Sequence, residues 1–166
     1  LQSAMVAMGG AGVVMVLGTN PAYSLPPSAG FREAFASAGF RVAFAPVLDE
    51  TAALCDLILP DRHFLESWGD SMARPGLFAL QQPAMQAVPL FDSKQAGDVL
   101  LSVALRLGSD PGAASFYDYL RMRWQEVRAL AAPGTDFDGF WREALRKGVV
   151  EVPGPEAEEP VPLRSP

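Results

Sequence analysis

Cysteine and histidine are almost missing from this chain: Cys55 and His63 are the only ones of their kinds. One cysteine rules out an internal disulfide, and one histidine with no cysteine partners cannot supply a four-ligand zinc set. The cysteines needed to hold an iron–sulfur cluster are lacking as well. Clusters of basic residues are also absent. Thirteen Lys and Arg stand against nineteen Asp and Glu, for a net charge of −6. Nucleic acid is therefore disfavoured as a partner, because phosphate backbones are bound by concentrated Lys and Arg. No run approaches the roughly 20 apolar residues of a membrane helix, and no charged amino-terminal region leads to a cleavage site. Neither a signal nor a transmembrane segment is expected. The chain starts at Leu1 and reads as a piece cut from something longer.

What is present is one domain's worth of apolar sequence, 49% hydrophobic over 166 residues, enough for a substantial core. Leu1 to Met8 reads as the end of a helix closed by Gly9-Gly10. Val13 to Leu17 is an unbroken apolar run, which predicts a strand buried on both faces, as in a parallel sheet. Gly18-Thr19-Asn20-Pro21 follows as a turn whose glycine permits close approach of backbone to a ligand. Ser28 is placed to cap a helix with Phe31, Phe35 and Ala38 on one face. Val42–Ala45 predicts the next strand, Thr51–Asp56 a short helix, and Leu57-Ile58-Leu59 a third buried strand. This alternation predicts an α/β fold, doubly wound, with a mostly parallel sheet flanked by helices.

From Pro60 to Pro89 the regular pattern fails, and a long irregular loop is expected there, carrying function or an interface. Its apolar side chains Phe64, Trp68, Leu77 and Phe78 are expected to pack partly against other domains. Three carboxy-terminal helices follow. The first starts at Asp92 as a capping-box-like signal with Gln95, and carries Ala96, Val99, Leu100, Val103, Ala104 and Leu107. The second spans Ser115–Leu130 with Phe116, Leu120, Val127 and Leu130. The third is capped by Thr135 or Asp136, presents Phe137, Phe140, Trp141, Ala144 and Leu145, and stops at Gly148. These spacings set the domain at residues 1–148 and leave 149–166 as a Pro/Glu-rich linker or tail.

The stretch Asp49 to Asp70 concentrates the polar groups beyond the predicted strands, where open α/β sheets place ligands. Asp49, Glu50 and Thr51 read either as a helix cap or as acceptors for the amino groups of a purine or pterin ring. His63 reads as a satisfied loop histidine and Cys55 as a small buried hydrophobe. Glu66 and Asp70 are separated by a glycine, which argues against a paired-carboxylate hydrolase. No catalytic residue and no metal ligand is assigned.

Taken together, Gly18-Thr19-Asn20-Pro21, Asp49-Glu50-Thr51-Ala52 with Asp56, Leu59-Pro60, Glu66, Gln82-Pro83 and Asp98-Val99-Leu100-Leu101 resemble the catalytic subunit of the molybdopterin oxidoreductase (DMSO reductase) family. The resemblance covers roughly Val13 to Gly108. It implies an internal α/β domain of a redox subunit in a respiratory electron-transport complex, gripping a molybdopterin guanine dinucleotide. Gly18, Thr19, Asn20, Pro21, Asp49, Glu50 and Thr51 would lie near that cofactor. Iron–sulfur clusters would belong to missing parts of the parent chain. The implied partners are the missing domains, iron–sulfur electron-transfer subunits and membrane-anchor subunits, in a bacterial periplasmic or membrane-associated complex. Departures from the family pattern occur at Ser67-Trp68-Gly69-Asp70 and Ala73-Arg74-Pro75-Gly76. The string His63 to Asp70 is similar to the alternative complex III branch, a quinol:cytochrome c oxidoreductase, where the fold is kept without the molybdenum cofactor. Polysulfide reductase-like subunits are the nearest cofactor-bearing branch. A cofactor-less structural scaffold is accordingly the second reading.

Overall fold

A computed structural model describes residues 2–152 and contains two three-stranded sheets bridged by helices. Leu1 and the Pro/Glu-rich segment 153–166, read above as tail, lie outside the described residues. The chain opens with α1 (Gln2–Gly9) and then β1 (Val14–Leu17). A short turn of helix, α2 (Pro21–Ser24), precedes α3 (Phe31–Ala36), β2 (Arg41–Phe44) and β3 (Leu57–Leu59). β1, β2 and β3 pair in that order and all parallel, Val14 opposite Arg41 and Val42 opposite Leu57. The expected βαβ organisation is therefore present.

Alternating side chains of β2 send apolar groups to both faces of the parallel sheet. Val42 and Phe44 pack with Leu59 and with Ala96 and Val99 of α4 (Ala96–Arg106). Ala43 and Ala45 pack on the other face with Ala52 and Cys55. Only the central strand is enclosed, however. Met15 and Leu17 of β1 are 49% and 51% exposed, and Leu57 and Ile58 of β3 are exposed too. The expectation of strands buried on both faces fails for β1 and β3 because they are edges of a sheet too narrow for the helices over it.

The second sheet corrects the reading of Pro60–Pro89. β4 (Gly69–Arg74) and β5 (Leu77–Gln81) form an antiparallel hairpin inside that stretch, with Pro75-Gly76 as its turn. Gly76 has φ of 79°, the left-handed value that a Pro-Gly turn requires. β6 (Val149–Glu151), assigned by sequence to the tail, pairs with β5 and completes the sheet, so the folded unit runs past residue 148. α5 (Phe116–Ala131) and α6 (Phe137–Lys147) pack on it through Leu80, Leu120, Trp124, Val127, Trp141 and Ala144. Trp68 and Phe78 join this core, so they are not surface groups awaiting another domain, whereas Phe64 is 61% exposed.

The caps explain the helix boundaries. α5 starts at Ser115, whose hydroxyl accepts from Asp118 N. α6 starts at Asp136, whose carboxylate accepts from Gly139 N at 2.8 Å, and Gly148 ends it. Ser28 does not cap α3. Gly30 does, with φ of 69°, and Ser28 lies in a preceding 3-10 turn. α4 begins after Gln95 rather than at Asp92, because Gln95 turns to the hairpin and brackets the Trp68 backbone. Its amide Nε2 donates to Trp68 O (2.7 Å) and its Oε1 accepts from Trp68 N (3.1 Å). The α4 amino end is held instead by Asp61, whose Oδ1 accepts from Ala96 N at 2.9 Å. Leu107, expected on the packed face of α4, is 80% exposed. Among the described residues no helix is long and apolar enough to cross a membrane.

Candidate functional site

All three parallel strands end at one edge of their sheet, so the segments after Leu17, Phe44 and Leu59 come together there. A cleft of about 300 Å³ lies at this edge, at the small end of the range of about 300–1,000 Å³ typical of small-molecule sites. It is lined by Val16, Gly18, Thr19 and Asn20 after β1, by Ala43, Ala45, Pro46 and Val47 around the end of β2, and by Asp49, Thr51 and Ala52.

Local chemistry fixes each of these groups. Gly18 ends β1 with φ of 64°, and a Cβ there would meet nothing within 4 Å. Its requirement is therefore conformational. Pro21 occupies the first position of α2, where its missing N–H costs nothing. Asn20, which precedes it, does not cap α2 with its side chain. Its Nδ2 donates to Glu50 Oε2 at 2.7 Å, and its Oδ1 accepts from the Thr51 hydroxyl at 2.7 Å. Thr51 is 1% exposed, and its Oγ1 also accepts from Ala22 N at 3.0 Å. Asp49 Oδ1 accepts from both Thr51 N (3.0 Å) and Ala52 N (2.7 Å), capping the 3-10 turn Ala52–Leu54. Its other oxygen has no partner among the described residues.

Gly18, Thr19, Asn20, Asp49 and Thr51 thus meet in one cleft, whereas Pro21 and Glu50 do not line it. Glu50 stands outside as an exposed carboxylate, held below its ordinary range chiefly by the hydrogen bond from Asn20 and then by backbone N–H donation. Of the two readings posed above for Asp49, capping is observed, through Oδ1, and the other oxygen has no partner among the described residues. The apolar lining from Ala45, Pro46 and Val47 was not singled out in the sequence, although its place directly before Asp49 could have signalled it.

The neighbouring polar residues are structural. His63 Nδ1 accepts from Leu65 N, and Glu66 accepts from His63 N at 3.2 Å and from Val88 N at 3.1 Å. Cys55 Sγ donates to Thr51 O, and burial pushes its thiol pKa up. Among the described residues no group of three or more His, Cys, Asp and Glu could hold a metal.

A ring bearing N–H donors is compatible with this lining, which offers apolar side chains, a carboxylate oxygen without a partner and no lysine or arginine. The carboxyl edge of a parallel sheet is where open α/β folds place their ligands. No family model matches the chain. It is 38% identical over 129 residues to the menaquinone reductase molybdopterin-binding-like subunit of Nitratidesulfovibrio vulgaris (strain Hildenborough), a match covering 75% of this chain and 18% of that one. Among solved structures, acetylene hydratase from Pelobacter acetylenicus superposes with a TM-score of 0.64, covering 94% of this chain and 21% of that one. At 17% identity that likeness establishes the fold alone. The chain thus has the fold of a domain of acetylene hydratase and is similar in sequence to part of a molybdopterin-binding-like subunit, and it spans about a fifth of the length of the proteins it matches.

Proposed function

We propose that this domain grips one end of a molybdopterin guanine dinucleotide in a redox subunit of an electron-transfer complex. The carrying observation is the unpartnered oxygen of half-buried Asp49 in the cleft at the carboxyl edge of the sheet. A guanine or pterin ring presents adjacent N–H donors on one edge, and a carboxylate is the acceptor suited to them. Ala43, Ala45 and Pro46 would lie against the ring. Asn20 and Thr51 would hold Asp49 and the Gly18 turn at a fixed separation. When bound, the cofactor supplies redox chemistry at a metal centre in the parent protein, and this chain's residues bind and orient its distal end.

Related to a chain named as a reductase subunit, this domain is further proposed to work beside iron–sulfur and membrane-anchor subunits, in a periplasmic or membrane-associated bacterial complex.

Pterin extracted from the full-length parent, measured by its fluorescence, tests the reading. Asp49→Asn should lower cofactor per folded molecule about tenfold, as expected for loss of a charge-assisted hydrogen bond. Unchanged content would remove the cleft from the cofactor site. A wild-type parent without pterin would leave the domain as a cofactor-less scaffold.

A further inference from the structure

The two sheets belong to halves of the molecule that share no hydrophobic core. One half is the parallel sheet with α1 to α4. There Val42, Phe44, Leu59, Ala96 and Val99 pack on one face and Ala43, Ala45, Ala52 and Cys55 on the other. The second half is the antiparallel sheet with α5 and α6, and its core around Trp124 and Trp141 draws only on residues 68–80 and 116–152. Ion pairs among the described residues are divided in the same way. Arg41–Asp56 lies in the first half, whereas Arg74–Glu151, Arg121–Asp138 and the pairs along α5 and α6 lie in the second.

The joint between the halves is polar. Gln95 brackets the Trp68 backbone, Asp98 Oδ1 accepts from Phe116 N at 2.7 Å, and Gln81 Nε2 donates to Phe64 O at 2.6 Å. Two of the three buried polar side chains described, Ser67 and Gln95, lie at this joint. The Phe116 ring rests on Gly97, where α4 has no side chain. A cleft of about 280 Å³ runs between the halves, with Leu17, Asp61 and Arg62 on one side and Trp68, Gly69 and Gln81 on the other. Polar interfaces between separately cored units permit relative motion that a large shared apolar core would prevent.

We propose that the antiparallel half is a hinged body that turns on the parallel half, with the Gln95–Trp68 bracket as its latch. The chain crosses between the halves at Ser67, between Gln82 and Gln95, and between Leu107 and Ser115. These crossings take up the rotation. Release of the latch widens the cleft between the halves. It leaves the Asp49 cleft intact, because every residue lining that one comes from 16–52.

Pulsed dipolar distance measurement between spin labels on the 166-residue chain, in a Cys55→Ala background, tests the hinge. Exposed positions carry the labels: Tyr23→Cys with Leu130→Cys spans the halves, Tyr23→Cys with Leu105→Cys stays within the parallel half, and Met72→Cys with Leu130→Cys within the antiparallel half. With Gln95 in place, each pair should give one narrow distance. Gln95→Met, which keeps the length of the side chain and removes both hydrogen bonds, should broaden or split the spanning distance and leave the two internal ones unchanged. Gln95→Glu, which loses the donor to Trp68 O alone, should do so to a smaller extent and covers the case in which the methionine variant fails to fold. A spanning distance that both variants leave as it is in wild type overturns the latch. Broadening of all three pairs alike reports general loosening and overturns the rigid body.

Discussion

Thr51 and Asn20, thirty-one residues apart, lock the two sides of the cleft together: the Thr51 hydroxyl donates to Asn20 Oδ1 at 2.7 Å and accepts from Ala22 N at 3.0 Å. The threonine is the most deeply buried polar side chain described. Its hydroxyl is therefore committed to holding the Gly18–Asn20 turn against the Asp49 loop and is not available to a ligand.

Thr51→Val, nearly isosteric, should leave Asn20 Oδ1 and Ala22 N unsatisfied. A loss of about 1–3 kcal/mol is expected, read by denaturant unfolding. Thr51→Ser should recover most of it. Equal stability of the valine variant would show that water replaces the clasp.

Gly18→Ala meets open space but a φ of 64°. The cost is that of a β-carbon in the left-handed region, about 1–2 kcal/mol, and Gly18→Asn should cost less. A thermal scan of both variants distinguishes this from clearance for a ligand, in which case alanine would leave the midpoint unmoved and reduce binding only.

Gly97→Ala should be the more damaging glycine change. A Cβ at Gly97 would lie 2.4 Å from the Phe116 ring, where α4 meets the start of α5. Overpacking of this kind costs about 1–3 kcal/mol. Phe116→Leu in the same chain should restore part of the loss in a double-mutant cycle.

Asp56 gives a pH prediction. Its carboxylate accepts from Arg41 Nε (2.9 Å) and N (2.8 Å) and pairs with Arg41 NH2 at 2.8 Å, tying the starts of β2 and β3. Hydrogen bonds from Arg41 draw its pKa from 3.8 to about 2. A carboxyl whose folded pKa is depressed stabilises the fold above its ordinary pKa, and that contribution fades as pH falls through the folded value. The gap in Tm between wild type and Asp56→Asn should therefore be full above about pH 4 and shrink toward pH 2. A constant gap would assign the effect to geometry rather than charge.

Trp68 and Phe78 test the boundary between core and interface. Both pack on Trp141 and its neighbours, with the Trp68 and Trp141 ring centroids 6.3 Å apart. Phe78→Ala should cost roughly 2–4 kcal/mol without changing self-association on size exclusion. Loss of self-association with unchanged stability would return these residues to an interface.

The parallel strands were legible because each is a short apolar run bracketed by Gly, Pro or acidic residues, and β2 sits where Val42 to Ala45 indicated. The hairpin was not, because Gly69, Asp70 and Ser71 carry little strand propensity, and their pairing with Ala79 to Gln81 is a tertiary matter. Pro75-Gly76 was the local signal for it. Trp124, fully buried, was passed over although its indole NH meets Asp70 at 2.9 Å, a contact across 54 residues. At the site, Asp49 was readable as both cap and acceptor. The Asn20–Thr51 clasp was not, since nothing local links two loops so far apart.

β6 pairs with β5 across roughly seventy residues, Leu77 opposite Glu151 and Ala79 opposite Val149. For a chain emerging from the ribosome this imposes an order. The parallel layer has all its strands once Leu59 is synthesised, while the hairpin waits with β5 unpaired on one edge until the last helix and Val149–Glu151 have appeared. Nascent chains halted before residue 149 should be the species that chaperones hold and proteases cut, with the exposed rim of β5 as the point of recognition.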